Sequence, residues 1–339
     1  MTGVDIVTVR PEDGAGRLDR WFRRHYPALN HGRLEKLLRT GQIRVDGSRS
    51  RGSTRLQPGQ VIRVPPLGDA QAAPPQRSAQ ARPRTGDAER LRDMIIHLDD
   101  DVIALNKPPG LAVQGGTGVT RHVDAMLDGL RFGSPERPRL VHRLDKDTSG
   151  VLVLARNAFA ATRLAAAFRG RSAEKTYWAL VVGVPRRPAG RIVSEVAKRG
   201  AHGAERMAEV DGDGKRAATE YEVVETAGRQ IAWLVLRPRT GRTHQLRLHC
   251  ASLGTPILGD AKYGGRDAFI SGLPGERTLH LHARSLDLPH PRGGMLHLQA
   301  PLPERMQATW RFLGFDPSAA ARTTNPDKKG AVPLSRRPQ

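Results

Sequence analysis

The sequence predicts an α+β fold, in which a large domain built on a largely antiparallel mixed sheet follows a small α/β module. Two observations lead to this prediction. Strand-like apolar runs outnumber helical patterns between residues 89 and 315, and a shorter segment upstream has helix and strand patterns of its own. Of the 339 residues, 38% are hydrophobic, which is enough for a sizeable core.

The small module is predicted over residues 14–66. Apolar residues recur at helical spacing from Arg17 to His25, and a second helix is expected to begin at Asn30 or His31, with Gly41 ending it. Two strand patterns complete the module, at residues 43–45 and 61–64.

Positive charge is concentrated in this module. The chain has 55 Lys and Arg residues against 34 acidic ones, a net charge of +21. The module alone has twelve basic and three acidic residues, a net charge of +9, which an even genomic preference for arginine would not produce. We therefore expect a polyanionic partner, usually a nucleic acid, although a solvated polar face is the alternative. The residues expected to bind RNA are Arg17, Arg33, Lys36, Arg39 and Arg44.

Two further segments have the composition of flexible chain. Residues 67–88 are rich in Ala, Pro, Gln and Arg and are predicted to be a flexible linker. Residues 316–339 are predicted to be a basic, disordered tail. Residues 89–315, between these segments, form the predicted catalytic domain.

Several classes of protein are disfavoured by composition. No apolar run reaches the roughly 20 residues that span a bilayer, and the first ten residues lack the apolar stretch of a signal peptide. Cys250 is the only cysteine, which excludes an intrachain disulfide and a zinc ribbon. We expect a cytoplasmic protein without a membrane partner.

The elements of the large domain follow from its apolar patterns. Short buried strands are predicted at 102–105 and 151–154, and longer strands at 177–184 and 232–236. Helices are predicted from Asn157 through Phe168 and from Thr243 to Leu253.

The densest polar pattern is the segment 141–150, which ends against the apolar run 151–154. A polar loop that is fixed to a buried strand is a rigid mount for a reactive side chain. Arg143 and Lys146 place positive charge beside Asp145, which would keep its carboxylate ionised. Such a carboxylate can act as a nucleophile or general base. On the residues alone, a surface loop with a salt bridge is an equal alternative.

This segment resembles the signature loop of the RluA-type pseudouridine synthases, HRLDxxTSG, at every fixed position. Further blocks follow in that family's order: the tyrosine-bearing strand at 174–180, the arginine block at 239–249 and the block at 280–283. The resemblance covers residues 95 to 312.

The module resembles the alpha-L RNA-binding domain in three stretches, residues 17–19, 33–38 and 41–47. Together with the block at 113–116, this appended module makes the chain most similar to the RluC branch of the family. That resemblance implies a target in large-subunit ribosomal RNA or its precursor.

The family resemblance implies the pseudouridine synthase fold and the isomerisation of uridine to pseudouridine in RNA, without a metal or organic cofactor. It implies that Asp145 is the catalytic aspartate, that Tyr177 stacks on the target base and that Arg242 is the partner of the aspartate. It also implies that Arg143 enters the RNA stack and that Leu246 is an apolar wall of the pocket.

Some alternatives stay open at this point. Lys107, before Pro108-Pro109-Gly110, is assigned to substrate binding, although a structural role in the turn is equally open. The histidines late in the chain would suit a metallohydrolase, but no HExxH pattern is present. A non-enzymatic ribosome-assembly factor would explain the basic module without the Asp145 loop. We expect a monomer.

Overall fold

A computed structural model describes residues 3–13, 16–26, 28–67, 86–115, 119, 121–170, 172–200 and 206–322. The chain divides into two compact units, Met1–Arg82 and Pro83–Gln339. Most of the predicted linker and the predicted tail from residue 323 onward lie outside the described residues, as does Gly116 of the upstream family block.

The first unit contains a four-stranded antiparallel sheet and two helices. The strands lie in the order β1 (Asp5–Thr8), β4 (Val61–Val64), β2 (Arg44–Val45) and β3 (Ser48–Arg49). Helices α1 (Leu18–His25) and α2 (His31–Arg39) share one apolar core with this sheet. Because β1 pairs with β4, this unit includes residues upstream of position 14.

Helix α2 begins where the sequence predicts. The side chain of Asn30 accepts a hydrogen bond of 2.8 Å from the backbone N–H of Arg33, which is the standard N-terminal cap. Leu34, Leu37 and Leu38 are buried on the face that meets the sheet. The opposite, basic face of α2 is therefore left to solvent.

The second unit is built on an eleven-stranded sheet, in which every pairing except that of β14 with β8 is antiparallel. The prediction of a largely antiparallel mixed sheet is therefore confirmed. The first strands are β5 (Ile95–Leu98), β6 (Val102–Lys107), β7 (Arg139–Leu140), β8 (Ser149–Ala155) and β9 (Glu174–Val182). The later strands are β10 (Ala189–Arg199), β11 (Arg206–Glu209), β12 (Lys215–Ala227), β13 (Ile231–Pro238), β14 (Leu281–Pro289) and β15 (Met295–Gln299).

Strand order places the two halves of the site side by side. The path across the sheet is β11-β10-β12-β13-β9-β14-β8-β6-β5, with β15 beside β14 and β7 beside β8. Strand β14 alone separates β9 from β8, so the predicted tyrosine strand and the strand after the Asp145 loop are close in space although distant in sequence.

Helices cover this sheet: α3 (Asp87–Arg92), α4 (Val123–Met126), α5 (Ala158–Gly170), α6 (Gln245–Ser252) and α7 (Glu304–Leu313). Asn157 caps α5 by accepting a hydrogen bond of 2.8 Å from the N–H of Ala160, as predicted. Helix α6 begins two residues later than predicted, because His244 takes a left-handed conformation with φ of 52° and Thr243 does not act as the cap.

The two faces of the central strands have different cores. On one face, α6 packs through Leu246 and Cys250 against β9 and β13. On the other, Trp233 contacts Trp310 of α7, with ring centroids 5.6 Å apart. Residues 317–322, within the range predicted as a tail, form a 3-10 helix, and Ala319 and Ala320 pack against this tryptophan cluster.

Candidate active site

A cleft of about 960 Å³ lies in the second unit, between strand β9, the loop before β8 and the segment before α6. This volume is within the usual range of ligand pockets. Five of the residues predicted at the site line the cleft, namely Arg143, Asp145, Tyr177, Arg242 and Leu246. The fold therefore brings together three sequence blocks that are widely separated along the chain.

The Asp145 loop is held by backbone contacts on both sides. The N–H of Thr148 donates to the carbonyl of Asp145 at 3.3 Å, and the N–H of Gly110 donates to the carbonyl of Lys146 at 2.9 Å. Gly150 has a φ of 109°, and a Cβ atom there would lie 2.1 Å from the carbonyl oxygen of Ala283. Only glycine permits β14 to approach the loop this closely.

The structure differs from the sequence expectation at Lys107. Its side chain is fully buried, and its ammonium donates to the carbonyls of Pro108, Leu111 and Lys146 at 2.9, 2.9 and 3.0 Å. Burial lowers the pKa of Lys107 to about 7, although the nearby charges of Asp147 and Asp145 oppose this shift. Lys107 therefore holds the loop from inside and does not line the cleft.

Tyr177 lies in β9 beside Leu236 of β13 and Ala283 of β14. Burial raises the pKa of its phenol, and the negative charge of Asp145 raises it further. The ring is therefore a neutral surface next to a carboxylate, which suits stacking against a base without adding charge to the site.

A buried arginine that the sequence analysis did not select lies in the same cleft. Arg247 donates two hydrogen bonds to Asp260, from Nε at 2.8 Å and from a terminal nitrogen at 2.6 Å. Burial disfavours the charged guanidinium, but the hydrogen bonds and charge of Asp260, together with the charge of Asp145, raise its pKa. Arg247 thus carries a permanent positive charge whose electrostatic environment includes Asp145.

Arg242, the predicted partner of the aspartate, is placed differently. Its side chain is exposed, and its Nε donates to the carbonyl of Arg216 at 3.1 Å. Within the described part of the chain it forms no ion pair with Asp145. The helix start explains the difference: residues 241–244 form a turn outside the helix, whereas Arg247 projects from α6 itself into the protein interior.

Sequence reasoning missed Arg247 because its partner, Asp260, is thirteen residues away and joined to it only by folding. One signal was available. Arg247 stands between Leu246 and Leu248 in a short helix rich in apolar residues, and an arginine buried there requires a carboxylate partner. Asp260 also accepts from the N–H groups of Lys262 and Tyr263, so this carboxylate is itself held in place.

The segment before α6 is fixed by the side chain of Gln245. Its carbonyl oxygen accepts hydrogen bonds from the hydroxyl of Thr240 at 2.7 Å and the N–H of Arg242 at 3.1 Å. Its amide nitrogen donates to the carbonyl of Ala218 and the hydroxyl of Thr219, both at 2.9 Å. This buried network ties the wall of the cleft to β12.

Arg143 and Leu246 occupy contrasting positions in the cleft. Arg143 is exposed, and one of its terminal nitrogens donates to the hydroxyl of Thr243 at 2.6 Å, across from the Asp145 loop. Leu246 is 7% exposed and belongs to the apolar core as well as to the cleft lining. Arg143 is therefore at the entrance, and Leu246 is at the back.

The lining of the cleft is strongly basic. Eight Lys or Arg residues line it, against three acidic residues. The acids are Asp145, Glu174 and Glu220, and Glu220 is paired with Arg239. This excess of positive charge is what a cleft for a nucleic acid needs.

The basic residues predicted to bind RNA in the first unit fall into two groups. Arg33, Lys36 and Arg39 are exposed along α2. Arg17 instead pairs with Asp19 at 2.5 Å, and Arg44 donates to the carbonyls of Gly41 and Gly47. The last two side chains therefore contribute to the structure of the unit itself.

The histidines late in the chain, which suggested a metal site, have separate hydrogen-bond partners. His244 contacts the hydroxyl of Tyr263 at 2.8 Å, and His280 contacts that of Thr309 at 2.9 Å. The part of the chain that the structure describes contains no group of three or more His, Cys, Asp or Glu residues arranged to hold a metal ion.

Comparison with known proteins agrees with this geometry. The profile of the RNA pseudouridylate synthase family matches residues 101–252. Ribosomal large subunit pseudouridine synthase C of Rickettsia conorii is 35% identical over 276 residues, which cover 81% of this chain and 89% of that protein. The Escherichia coli protein of the same name is 33% identical over 311 residues, covering 90% and 95%.

A solved structure is also similar. Human RNA Pseudouridylate Synthase Domain Containing 4 has 32% sequence identity and a TM-score of 0.57, with coverage of 67% of this chain and 95% of the human one. The Asp145 loop, the tyrosine strand and Arg247 all fall within the residues that the family profile matches.

Proposed function

Because this chain belongs to the RNA pseudouridylate synthase family, we propose that it isomerises uridine to pseudouridine in large-subunit ribosomal RNA. The observation that carries this proposal is the placement of the Asp145 carboxylate, the Tyr177 ring and the Arg247 guanidinium around one basic cleft. The names of the relatives supply the class of RNA, and none of them favours a non-enzymatic assembly factor.

The target nucleotide must first leave its stack. A uridine inside a folded stem cannot present its glycosidic bond to the cleft, and extruding it costs a few kcal/mol. Arg143 lies at the entrance and is exposed, so its guanidinium is placed to fill the gap that the base leaves. Its hydrogen bond with Thr243 must break when it does so.

Asp145 then acts at the sugar. Breaking the bond between C1′ and N1 builds positive charge on the ribose, as in glycoside hydrolysis. A carboxylate beside C1′ stabilises that charge, captures it covalently or removes a sugar proton. In each route the freed uracil turns and rejoins C1′ through C5, the proton at C5 is lost and N1 gains one, so substrate and product are isomers.

The other residues of the site orient the reacting groups and exclude water. We assign to Arg247 the role that the family resemblance implied for Arg242, because its buried guanidinium interacts electrostatically with Asp145 and Asp260 fixes its orientation. Tyr177 stacks on the uracil, and Leu246 closes the back of the pocket against water. Water would otherwise trap the ribose and release a free base.

We further propose that the basic face of α2 in the first unit supplies RNA affinity, that the protein acts as a monomer and that it works in the cytoplasm. The described residues include no helix long and apolar enough to cross a membrane. Arg33, Lys36 and Arg39 are the side chains of this face that we assign to phosphate contacts.

Mapping pseudouridines in ribosomal RNA tests the proposal. The RNA from a strain lacking this protein should have lost one or more pseudouridines, and expression of the wild type should restore them. Asp145→Asn should not restore them, although it keeps the size of the side chain. Restoration by Asp145→Asn would refute the catalytic role, and an unchanged map in the deletion strain would refute the substrate.

A further inference from the structure

Lys175 is a cation in the cleft that the proposed chemistry does not use. It lies in β9 two residues before Tyr177, so the two side chains point to the same face of the strand. Both line the cleft, and their α-carbons are separated by about 6.6 Å along the strand. Lys175 is therefore beside the nucleotide that Tyr177 is proposed to hold.

The ammonium of Lys175 lacks an anionic partner. Among the residues that the structure describes, it forms no ion pair and no hydrogen bond. The ring of Phe168 lies beside it, with the ring centroid 5.8 Å from Nζ. The neighbouring acid, Glu174, also lines the cleft, but in the described part of the chain it forms no ion pair with Lys175.

The aromatic side chains next to Lys175 offer it no negative charge. His142 stacks on Phe168, and its Nε2 accepts a hydrogen bond of 2.8 Å from the N–H of Val153, so the imidazole is neutral. Burial lowers the pKa of His142 to about 3, and the charge of Lys175 lowers it as well. Burial also lowers the pKa of Lys175 itself.

Three other cations in the interior of this unit are compensated. Lys107 donates to three carbonyl groups, Arg247 binds Asp260, and Arg284 donates to the carbonyl of Ala300. A half-buried charge without a partner is costly, and the cost falls when an anion binds beside it. Lys175 differs from these residues because, in the described part of the chain, it has neither a counter-charge nor a hydrogen-bond acceptor.

The position of the ammonium indicates where such an anion would lie. A Cβ atom built on Gly241 would be 3.8 Å from Nζ of Lys175, so the ammonium faces the turn that precedes α6. The next residue in that turn, Arg242, is exposed at the cleft. An anion between them would contact both cations, and a compact ammonium suits a phosphate oxygen better than a planar base edge.

We propose that Lys175 binds a backbone phosphate adjacent to the target uridine and so positions the ribose at Asp145. This inference rests on the proposed function, because it needs RNA to be the substrate of the cleft. It also gives Arg242 a role. This residue would be the second cation on that phosphate and not the partner of Asp145.

The test uses an RNA hairpin that contains a mapped target uridine. One set of hairpins carries a neutral methylphosphonate at the linkage on the 5′ side of the uridine, and another at the linkage on the 3′ side. Wild type, Lys175→Met and Lys175→Arg are compared by KM and kcat for conversion. Arg229→Met, which removes an exposed charge in the turn between β12 and β13, is the matched control.

We expect Lys175→Met to raise KM about tenfold on the unmodified hairpin, and Lys175→Arg to restore most of the loss. At one of the two linkages, the methylphosphonate should raise the KM of the wild type by a similar factor. It should raise the KM of Lys175→Met by little more. Arg229→Met should behave as wild type. Thermal melting of each variant separates a loss of contact from a loss of folding, since a purely structural lysine would lower stability without removing the sensitivity to the methylphosphonate.

Three results would overturn the inference. Losses that multiply at both linkages, or a Lys175→Met enzyme with unchanged KM, would show that Lys175 does not touch a flanking phosphate while leaving the proposed function intact. A wild-type enzyme that converts no uridine would overturn the proposed function and this inference with it.

Discussion

The guanidinium of Arg247 and the carboxylate of Asp260 form two parallel hydrogen bonds in the interior of the second unit, at 2.8 and 2.6 Å. Their side chains are 9% and 0% exposed, so the pair is shielded from water and salt. The guanidinium of this pair also interacts electrostatically with Asp145, whose negative charge helps to raise the pKa of Arg247. The reactive loop, on the other side of the cleft, is held by Lys107 and Gly150.

Breaking the buried pair should harm both folding and activity. Asp260→Asn leaves the guanidinium of Arg247 buried without its counter-charge, which typically costs about 3–5 kcal/mol of stability. Chemical denaturation should show this loss. Arg242→Gln serves as the comparison, because this exposed arginine should be replaceable without a change in the unfolding midpoint.

Substitutions of Arg247 and Arg242 should also have different effects on kcat and KM. Arg247→Met should lower kcat by about a hundredfold or more, since it removes the buried charge near Asp145. Arg242→Gln should mainly raise KM, because Arg242 is at the edge of the cleft. Single-turnover conversion of an RNA hairpin measures both effects, and a larger loss of kcat in Arg242→Gln would return that residue to the role the sequence suggested.

The Tyr177 ring and its hydroxyl can be tested separately. Tyr177→Phe keeps the stacking surface and should keep most of the activity if the ring is what matters. Tyr177→Ala removes a base-stacking contact of about 1–3 kcal/mol and should weaken the complex accordingly. Near-complete loss of kcat in Tyr177→Phe would instead assign a proton transfer to the phenol.

Lys107 should make stability depend on pH in an identifiable way. Its pKa is about 7 in the folded protein and near the ordinary 10.5 in the unfolded chain, so between these values the unfolded state binds more protons. The free energy of unfolding of the wild type should therefore rise relative to that of Lys107→Met as the pH increases from 7 to 10. Parallel urea titrations of both proteins across this range measure the difference, and curves that stay parallel would contradict the shift.

The basic face of α2 should control the salt dependence of RNA binding. Replacing Arg33, Lys36 and Arg39 by glutamine removes three phosphate contacts and should reduce the slope of log K against log salt by about 2–3. Replacing Arg17 and Arg44 should change this slope less, because both side chains are bonded within the unit. Equal slopes for the triple variant and the wild type would remove α2 from the interface.

Local sequence patterns predicted the elements well where a single segment contains the whole cause. Helix α2 starts at the Asn30 cap, α5 starts after Asn157, and the buried strands at 102–107 and 149–155 follow from apolar runs. The start of α6 was misplaced, because a positive φ at His244 depends on contacts that Tyr263 and Gln245 make after folding.

The sequence by itself determined the family, the α+β class and the identity of the reactive loop, because HRLDKDTSG and its following apolar strand are contiguous in the chain. Only the tertiary structure decided which basic residues serve that loop. It buried Lys107 under the loop, moved Arg242 to the edge of the cleft and placed Arg247 against Asp260. The physical reason is that a buried charge requires a partner, and folding selects that partner by distance in space.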